Sequence, residues 1–291
     1  MKQLISIVTG GSRGVGKFLC KELSNVMPVL NISRGQTPTS DLKTKFPIYE
    51  LVADLREPAD VEIRIGSWLD EHPDYRVVNL VLNAANLSLG TLQHAQLADL
   101  EAIFRTNVFS TILITSLISR RCVFSEEGSQ VTYLTSSLAR AEPALTFAGI
   151  GLYSATKAAI SRLAMVQARE FALTSPYVRV ARVHPGIVDT SMQTELRSSS
   201  VVDPSFALKT EGLPPYRSGD WNCIDPSGAM RTISPEMAAD FVLWACGHGD
   251  HQAREFDYYS TIEYHLERDR RLAALGLPSA AADPVGSRVL A

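Results

Sequence analysis

The stretch Thr9-Gly10-Gly11-Ser12-Arg13-Gly14-Val15-Gly16 lies near the N-terminus of this chain of 291 residues and is its most informative segment. It follows an apolar, β-branched run at Leu4–Thr9, and a helical pattern begins at its end. Glycines let the backbone turn sharply and approach a pyrophosphate, and the N-terminus of the following helix offers free N–H groups to an anion. This order predicts a dinucleotide site, although glycine-rich turns also occur for conformational reasons alone.

Outward from this turn, short β-branched runs alternate with longer helical patterns. Strands are expected at Leu4–Thr9, Val29–Ser33, Ile48–Val52, Val77–Asn83, Gln130–Thr135 and Val178–His184, with an edge strand at Glu255–Tyr259. Helices are expected at Gly14–Asn25, Pro58–Glu71, Leu97–Arg120, Tyr153–Thr174 and Pro235–Cys246. Because each crossover is long enough to hold a helix, the alternation predicts an α/β fold with one doubly wound parallel sheet and helices on both faces.

The chain is expected to form one dinucleotide-binding and catalytic domain over residues 1–260, followed by a C-terminal extension at 261–291. Residues 191–230 are rich in Ser, Pro and Gly and carry isolated aromatic residues. Long connections of this kind often cover a pocket, so we interpret the segment as a substrate flap. A plain surface insertion is the alternative.

Composition limits the class of protein. The net charge is −3 without any run of Lys or Arg, so no nucleic-acid partner is expected. The longest apolar stretch, Val108–Ile118, is too short to span a bilayer, so no membrane partner is expected either. The four cysteines are scattered, which favours a cytoplasmic location. His248 and His251 lack further ligands nearby, so no metal is expected.

The end of the second strand indicates which nucleotide binds. It reads Asn31-Ile32-Ser33-Arg34, without the carboxylate that usually holds the ribose hydroxyls of NAD. Arg34 can pair with a 2′-phosphate, and Arg13 can approach the same group. The pattern therefore favours NADP(H). The alternative for Arg34 is a solvated charge at a strand end.

Tyr153 and Lys157 form the candidate acid/base pair. They lie four residues apart in a helical pattern, so their side chains face the same way. A nearby ammonium lowers the pKa of a phenol and makes it a workable proton donor. Ser136 or Ser137, just after the apolar run Val131–Leu134, could hold a substrate oxygen and stabilise a developing alkoxide. Capping of the strand end is the alternative role for these hydroxyls.

These motifs together make the chain similar to the short-chain dehydrogenase/reductase family over about residues 2–260. The resemblance implies a Rossmann-type fold. The matching pieces occur in the family's order, as Thr9-Gly10-x-x-x-Gly14-x-Gly16, Asp54-Leu55, Asn83-Ala84-Ala85, Asn107, Ser136-Ser137, Tyr153-x-x-x-Lys157 and Pro185-Gly186-Ile187-Val188-Asp189-Thr190.

The resemblance also implies a role for each catalytic residue. Tyr153 would be the general acid/base, and Lys157 would lower its pKa and hold the nicotinamide ribose. Ser137 matches the substrate-orienting serine, and Asn107 would support a water linked to Lys157. The implied cofactor contacts are Gly10, Ser12, Arg13, Gly14, Val15, Gly16, Ser33, Arg34, Asp54 (at the adenine), Leu55, Asn83, Ala84, Ala85, Asn107, Tyr153, Lys157, Pro185, Gly186, and Ile187 and Thr190 (at the carboxamide).

The chain departs from the family pattern at several places. Asn86 replaces a glycine near the cofactor, and the stretch between the serines and Tyr153 is longer than usual. His184 precedes Pro185, where it either touches substrate or is an ordinary core histidine. The usual glycine-rich ending is replaced by Phe256-Asp257-Tyr258-Tyr259, so a homodimer and a homotetramer both remain open.

The segment Pro185–Gln193 resembles the sepiapterin reductase and benzil reductase branch, which reduces ketones and diketones with NADPH. We therefore expect an oxidoreductase that moves hydride between NADP(H) and a small carbonyl or alcohol substrate. A non-redox enzyme on the same scaffold, such as a dehydratase, isomerase or cyclase, is one alternative. A cofactor-sensing binding protein is another. Four side chains either line the substrate pocket or serve only in packing, namely Phe147, Met192, Tyr216 and Trp221.

Overall fold

The structure is a computed structural model and describes residues 2–37, 43–121, 123–208 and 232–275. Its strands are β1 (Gln3–Thr9), β2 (Val29–Ser33), β3 (Ile48–Val52), β4 (Tyr75–Leu82), β5 (Ser129–Leu134), β6 (Val178–His184) and β7 (Arg254–Asp257). Within the described ranges they form one parallel sheet in the order β3-β2-β1-β4-β5-β6-β7. The sequence-predicted α/β fold is confirmed, with strand ends shifted by at most two residues.

Helices cover both faces of this sheet. They are α1 (Gly14–Leu23), α2 (Pro58–Glu71), α3 (Leu97–Phe104), α4 (Ser110–Arg120), α5 (Gly151–Thr174), α6 (Ser191–Ser198), α7 (Pro204–Leu208), α8 (Pro235–Cys246) and α9 (Ile262–Ala274). One apolar cluster joins α2, α4 and α5 to one face, and a second joins α1 and α8 to the other. Because helices pack on both faces, β1, β2, β5 and β6 are buried over most of their length.

The sheet order places the functional residues. β1 pairs with β2 on one side and with β4 on the other, so the connections diverge between β1 and β4. In a doubly wound sheet, ligands bind outside the carboxyl ends of the strands at this switch point. The glycine-rich turn, Asn83, Ser136 and Pro185 all follow carboxyl ends of strands at this edge.

The helix expected at Leu97–Arg120 contains a wider π-type turn at Arg105–Phe109, between α3 and α4. By length and composition alone this helix could cross a membrane. However, 56% of its most apolar window is buried inside the protein, as in the core helix of a globular fold. Its apolar character is therefore explained by packing against α2 and α5.

The described chain ends with α9, a helix that the sequence analysis did not predict. Tyr264 is fully buried on it and donates a 2.8 Å hydrogen bond to Asp240 of α8.

The first part of the expected flap forms α6 and α7. Its remainder, at 209–230 with Tyr216 and Trp221, lies outside the described residues, as do Cys122, Cys223 and residues 276–291.

Candidate active site

The glycine-rich turn has a backbone that other residues would strain. Gly10 and Gly14 have φ angles of +75° and +54°. A Cβ atom at Gly16 would overlap the backbone carbonyl of Gly10, because helix α1 begins in contact with the end of β1. The turn therefore combines left-handed geometry with close backbone approach, which are the two properties that glycine supplies.

Side chains from neighbouring strands hold this turn in place. The amide of Asn83 donates to the carbonyls of Thr9 and Gly10 at 2.9 and 3.2 Å. Asn31, buried in β2, accepts a 2.8 Å hydrogen bond from the N–H of Gly11. Asn83, predicted as a cofactor contact, thus also fixes the shape of the turn from the end of β4.

The N-terminus of α1 is free to receive an anion. Its N-cap residue, Arg13, makes no capping hydrogen bond through its side chain, and the first turn contains no acidic residue. The first N–H groups of a helix carry a partial positive charge that favours phosphate. The residues present here therefore fit the pyrophosphate of a dinucleotide.

Ser33, Arg34 and Asp54 meet at the ends of β2 and β3, on the same side of the turn. Asp54 forms an ion pair with Arg56 at 2.6 Å, and that hydrogen bond holds the pKa of the carboxyl below its usual range. Arg56 lines the same cavity and was missed by the sequence analysis. Its position two residues after Asp54 could have indicated it.

Tyr153 lies on the first turn of α5, where it is 8% exposed. Burial raises the pKa of Tyr153 to about 12, and the side chain of Ser136 opposes that rise. Ser136 is therefore the serine that acts on the pKa of Tyr153, and the role of Ser137 as the substrate-orienting serine stays a prediction. Ser136 caps the short turn Ser137–Ala139 by accepting from Leu138 N at 3.2 Å, and both serines line the cavity.

Lys157 is 3% exposed, and its Nζ lies 5.7 Å from the centroid of the Tyr153 ring. The ammonium donates a 2.8 Å hydrogen bond to the carbonyl of Leu134. Burial lowers the pKa of Lys157 to about 8. Burial is the largest influence on the pKa of Tyr153, and the ammonium donates to the backbone of β5, so the lowering of that pKa by Lys157 stays a prediction.

Asn107 lies in the π-type turn and is fully buried. Its side chain accepts from Asn86 N at 2.7 Å and donates to Asn86 O and to the Thr156 hydroxyl, each at 3.0 Å. These contacts join the cofactor loop after β4 to α5, which carries the tyrosine. A water linked to Lys157 stays a prediction.

The opposite side of the cleft is apolar. Phe147 and Phe206 pack edge to face with ring centroids 5.2 Å apart. Gly149 has φ +85°, and a Cβ there would overlap the carbonyl of Val201. Asp203 N donates to Ala148 O at 3.1 Å, so the loop before α5 and the segment between α6 and α7 are joined. Together they cover the side of the cleft next to Tyr153.

One cavity of about 570 Å³ connects the glycine turn, the arginines, the tyrosine and the apolar cover. Its walls also include the loop Pro185–Thr190, in which Gly186 has φ +92° and Ile187 N donates to the hydroxyl of Tyr259 at 2.8 Å. His184 lines the same cavity. The cleft thus runs across the carboxyl ends of the strands.

Comparison with known proteins agrees with this geometry. The family model for short chain dehydrogenases matches residues 5–200, which is more than half of the chain. The chain belongs to the short-chain dehydrogenase family.

Similar curated proteins include sepiapterin reductase from Bos taurus, 30% identical over 225 residues, covering 72% of this chain and 81% of that protein. The enzyme of the same name from Mus musculus is 31% identical over 226 residues, covering 72% and 83%. A probable NADP-dependent dehydrogenase from Haemophilus influenzae is 24% identical over 257 residues, covering 86% and 90%. These similarities fit the branch suggested by the segment Pro185–Gln193.

Among solved structures, a short-chain dehydrogenase/reductase from Serratia marcescens superimposes with a TM-score of 0.66 at 22% identity, covering 88% of this chain and 98% of that one. A 3-oxoacyl (acyl-carrier-protein) reductase from Agrobacterium tumefaciens, with NADP bound, gives 0.64 at 23% identity and covers 87% and 92%. At these identities the likeness shows the short-chain dehydrogenase fold.

Most residues predicted from the short-chain dehydrogenase motifs lie on the cavity wall. Those found there are Gly10, Ser12, Arg13, Gly14, Val15, Gly16, Ser33, Arg34, Asp54, Leu55, Asn83, Ala84, Ala85, Ser137, Tyr153, Lys157, Pro185, Gly186, Ile187 and Thr190. Asn107 lies behind the wall. Phe147, Met192 and His184 line the cavity as well. Within the described ranges, no group of three or more His, Cys, Asp or Glu side chains is arranged so that it could hold a metal ion.

Proposed function

We propose that this chain is an NADP(H)-dependent oxidoreductase that reduces a ketone or diketone, or oxidises the corresponding alcohol. One observation carries the proposal. A single cavity joins a helix N-terminus suited to pyrophosphate with a buried tyrosine, a buried lysine and two serines. Within the short-chain dehydrogenase family, this arrangement supports hydride transfer coupled to proton transfer.

NADP(H) is preferred over NAD(H) because of the charges at the end of β2. Arg34 and Ser33 line the cavity there, and Arg13 lies across the turn. The carboxylate of Asp54 is already paired with Arg56, so its charge is partly neutralised. A 2′-phosphate can accept charge-assisted hydrogen bonds from arginine. The similar proteins include a probable NADP-dependent dehydrogenase and a reductase with NADP bound, which supports the same choice.

The cofactor, when bound, supplies or accepts the hydride at the carbonyl carbon. Tyr153 donates a proton to the carbonyl oxygen, and Ser136 or Ser137 holds that oxygen in place. Lys157, fixed by the carbonyl of Leu134, keeps a positive charge beside the tyrosine and lies where it can hold the cofactor ribose. Fixing the reacting groups near contact distance supplies much of the barrier reduction.

A ketone or diketone fits the cleft because the cover near Tyr153 is apolar and aromatic. Phe147, Phe206 and Met192 line it, and the side chains that act on oxygen are the serines and the tyrosine. The sepiapterin reductases that resemble this chain support a carbonyl substrate. We further propose a cytoplasmic location and a homodimer or homotetramer. Light scattering of the purified protein would decide between the two oligomeric states.

The decisive experiment combines cofactor binding with turnover. NADPH and NADH are titrated against the full chain by nucleotide fluorescence, and NADPH oxidation is then followed with aromatic diketones such as benzil. We expect tighter binding of NADPH and substrate-dependent oxidation that Tyr153→Phe abolishes. Phenylalanine removes only the hydroxyl, so nucleotide binding should persist in this variant.

The outcomes separate the alternatives. Substrate conversion with unchanged NADPH absorbance would indicate a non-redox enzyme. Nucleotide binding without turnover on any carbonyl or alcohol would indicate a sensing protein. Full turnover by Tyr153→Phe on a confirmed substrate would contradict the role assigned to the tyrosine.

A further inference from the structure

Asp257 is a buried carboxylate that contacts three segments around the cavity from behind its wall. It ends β7, beside His184 in the register of β6. Its Oδ2 lies 2.9 Å from Arg140 Nη2 and 3.3 Å from His184 Nδ1. Its Oδ1 accepts a 3.0 Å hydrogen bond from Tyr259 N. One side chain thus links the end of β7 to Arg140 and His184, which are both distant from it in sequence.

Each partner of Asp257 leads to a different part of the active site. Arg140 directly follows the short turn Ser137–Ala139, which holds the candidate serines. His184 lines the cavity and precedes Pro185. Tyr259 accepts the N–H of Ile187 on its hydroxyl at 2.8 Å, so it supports the loop at the nicotinamide end. The carboxylate therefore lies between the serine side and the nicotinamide side of the cleft.

The burial and the charge of Asp257 determine how firmly it holds its partners. The side chain of Asp257 is 9% exposed and that of Arg140 is 33% exposed. Burial opposes ionisation of Asp257, but the imidazole of His184, the N–H of Tyr259 and the charge of Arg140 together hold its pKa at about 2. Arg140 also donates to Glu255 at 3.0 Å, and Glu255 pairs with Arg182 at 3.0 Å. Each of Arg140, Asp257 and Glu255 has more than one polar partner in this network, so the network holds their relative positions.

We propose that Asp257 and Arg140 are positioning residues for the carbonyl chemistry. Their ion pair fixes the serine turn relative to the loop Pro185–Thr190, and so fixes the hydroxyls that hold the carbonyl oxygen relative to the nicotinamide site. The inference rests on the proposed function. A displacement of about 1 Å in such a group can reduce turnover by up to about a hundredfold. The sequence Phe256-Asp257-Tyr258-Tyr259, which departs from the family ending, thereby acquires a role.

The test uses the variants Asp257→Asn, Arg140→Gln and their combination in the full chain. Asparagine keeps the acceptor for Tyr259 N and removes the charge. We expect kcat to fall about tenfold in each single variant, because the serine turn loses its ion pair with Asp257 while the nucleotide site is intact. Arg140→Gln also loses the contact with Glu255, so the double variant should be no worse than Arg140→Gln alone. The dissociation constant of NADPH should stay unchanged, and Arg140→Lys should restore most of the turnover.

Arg254→Gln is the matched control. Arg254 lies on the same strand, but its ion pair with Glu263 is solvent-exposed and distant from the cavity wall, so kcat should not change. A drop in melting temperature with wild-type kcat in Asp257→Asn and Arg140→Gln would overturn the inference, since it would reveal a purely structural pair. Additive losses in the double variant would also overturn it.

Amide hydrogen exchange across residues 136–140 provides a readout that does not depend on turnover. Faster exchange there in Asp257→Asn and Arg140→Gln, but not in Arg254→Gln, is the expected result. Unchanged exchange in both variants would refute the inference. If the wild-type protein reduces no carbonyl, the proposed function fails, and the exchange measurement still decides whether this ion pair positions the turn.

Discussion

The ammonium of Lys157 and the backbone carbonyl of Leu134 are joined by a hydrogen bond of 2.8 Å at the carboxyl end of β5. The lysine is thereby fixed to the sheet, one helical turn after Tyr153. A buried ammonium carries a desolvation penalty that one hydrogen bond only partly offsets. The position is therefore expected to favour catalysis at the expense of stability.

Replacement of Lys157 by methionine should raise the stability of the protein and abolish its turnover. The pKa of Lys157 is about 8 in the folded chain and 10.5 ordinarily, so the unfolded chain holds the proton more tightly. The penalty is complete below pH 8 and decreases as the pH rises towards 10.5. After the lost hydrogen bond is counted, we expect a gain of about 1–2 kcal/mol at neutral pH. Denaturant unfolding at several pH values measures it, and a loss of stability would contradict the prediction.

The rate of carbonyl reduction should fall as the pH rises above about 8. The protonated form of Lys157 supports proton donation by Tyr153, and its pKa is lowered to about 8 by burial. At saturating NADPH, the profile of kcat/KM for the carbonyl substrate reports the ionisations of the enzyme–NADPH complex. We expect a single ionisation near this value at saturating NADPH. A flat profile up to pH 10 on a substrate that does not itself titrate would contradict the assignment.

Ser136→Ala should reduce turnover more than Ser137→Ala. The side chain of Ser136 lowers the pKa of Tyr153, whereas Ser137 begins the turn that follows. Loss of a donor that stabilises developing oxyanion charge typically costs about a hundredfold in kcat. We expect a loss of that order for Ser136→Ala and a smaller one for Ser137→Ala, measured in steady-state assays on one substrate. The reverse order would restore the assignment that the family resemblance implies.

Arg34→Ala should weaken NADPH binding and leave NADH binding nearly unchanged. A charge-assisted hydrogen bond contributes roughly 1.5–3 kcal/mol, so we expect about a 10- to 100-fold rise in the NADPH dissociation constant. Fluorescence titration with both nucleotides measures the change. Arg64→Ala is the control, because Arg64 forms an exposed ion pair with Asp60 on α2, outside the cavity. Equal weakening of both nucleotides by Arg34→Ala would argue against a 2′-phosphate contact.

Gly149→Ala should raise the KM of the carbonyl substrate. An alanine there must adopt φ +85°, and its Cβ would overlap the carbonyl of Val201, so the contact between the loop and the apolar cover must open. The NADPH dissociation constant should not change, because the glycine turn lies elsewhere. Gly247→Ala is the control, since Gly247 has φ −75° and its Cβ would have an ordinary 3.4 Å contact. An unchanged KM would show that this cover does not contact substrate.

Much of the fold could be predicted from the sequence because the sheet is buried on both faces. Runs such as Val29–Ser33 and Val178–His184 are buried over most of their length and end where predicted. The nucleotide end of the site followed from glycines, whose conformational freedom is needed wherever they occur. In both cases the residue types in the local sequence are sufficient to predict the structure.

Other features depend on tertiary contacts and were not visible in the pattern. The π-type turn in Leu97–Arg120 holds Asn107 against Asn86, a contact 21 residues away that helical periodicity does not reveal. Helix α9 buries His265 and Arg268 beside Tyr264, so its inner face lacks an apolar pattern. Which of Ser136 and Ser137 faces the reacting groups depends on the residue at which β5 ends and the following turn begins. A shift of one residue in that position exchanges the two serines.

The cleft described above has arginines around its glycine turn and aromatic side chains around its far cover. Salt screens interactions between solvent-exposed charges, but it does not weaken contacts between apolar surfaces. Raising the ionic strength is therefore expected to weaken the proposed attraction of Arg13 and Arg34 for a polyanionic nucleotide, and to leave apolar contacts at Phe147 and Phe206 unchanged. The two halves of one cavity respond differently to the same dissolved salt.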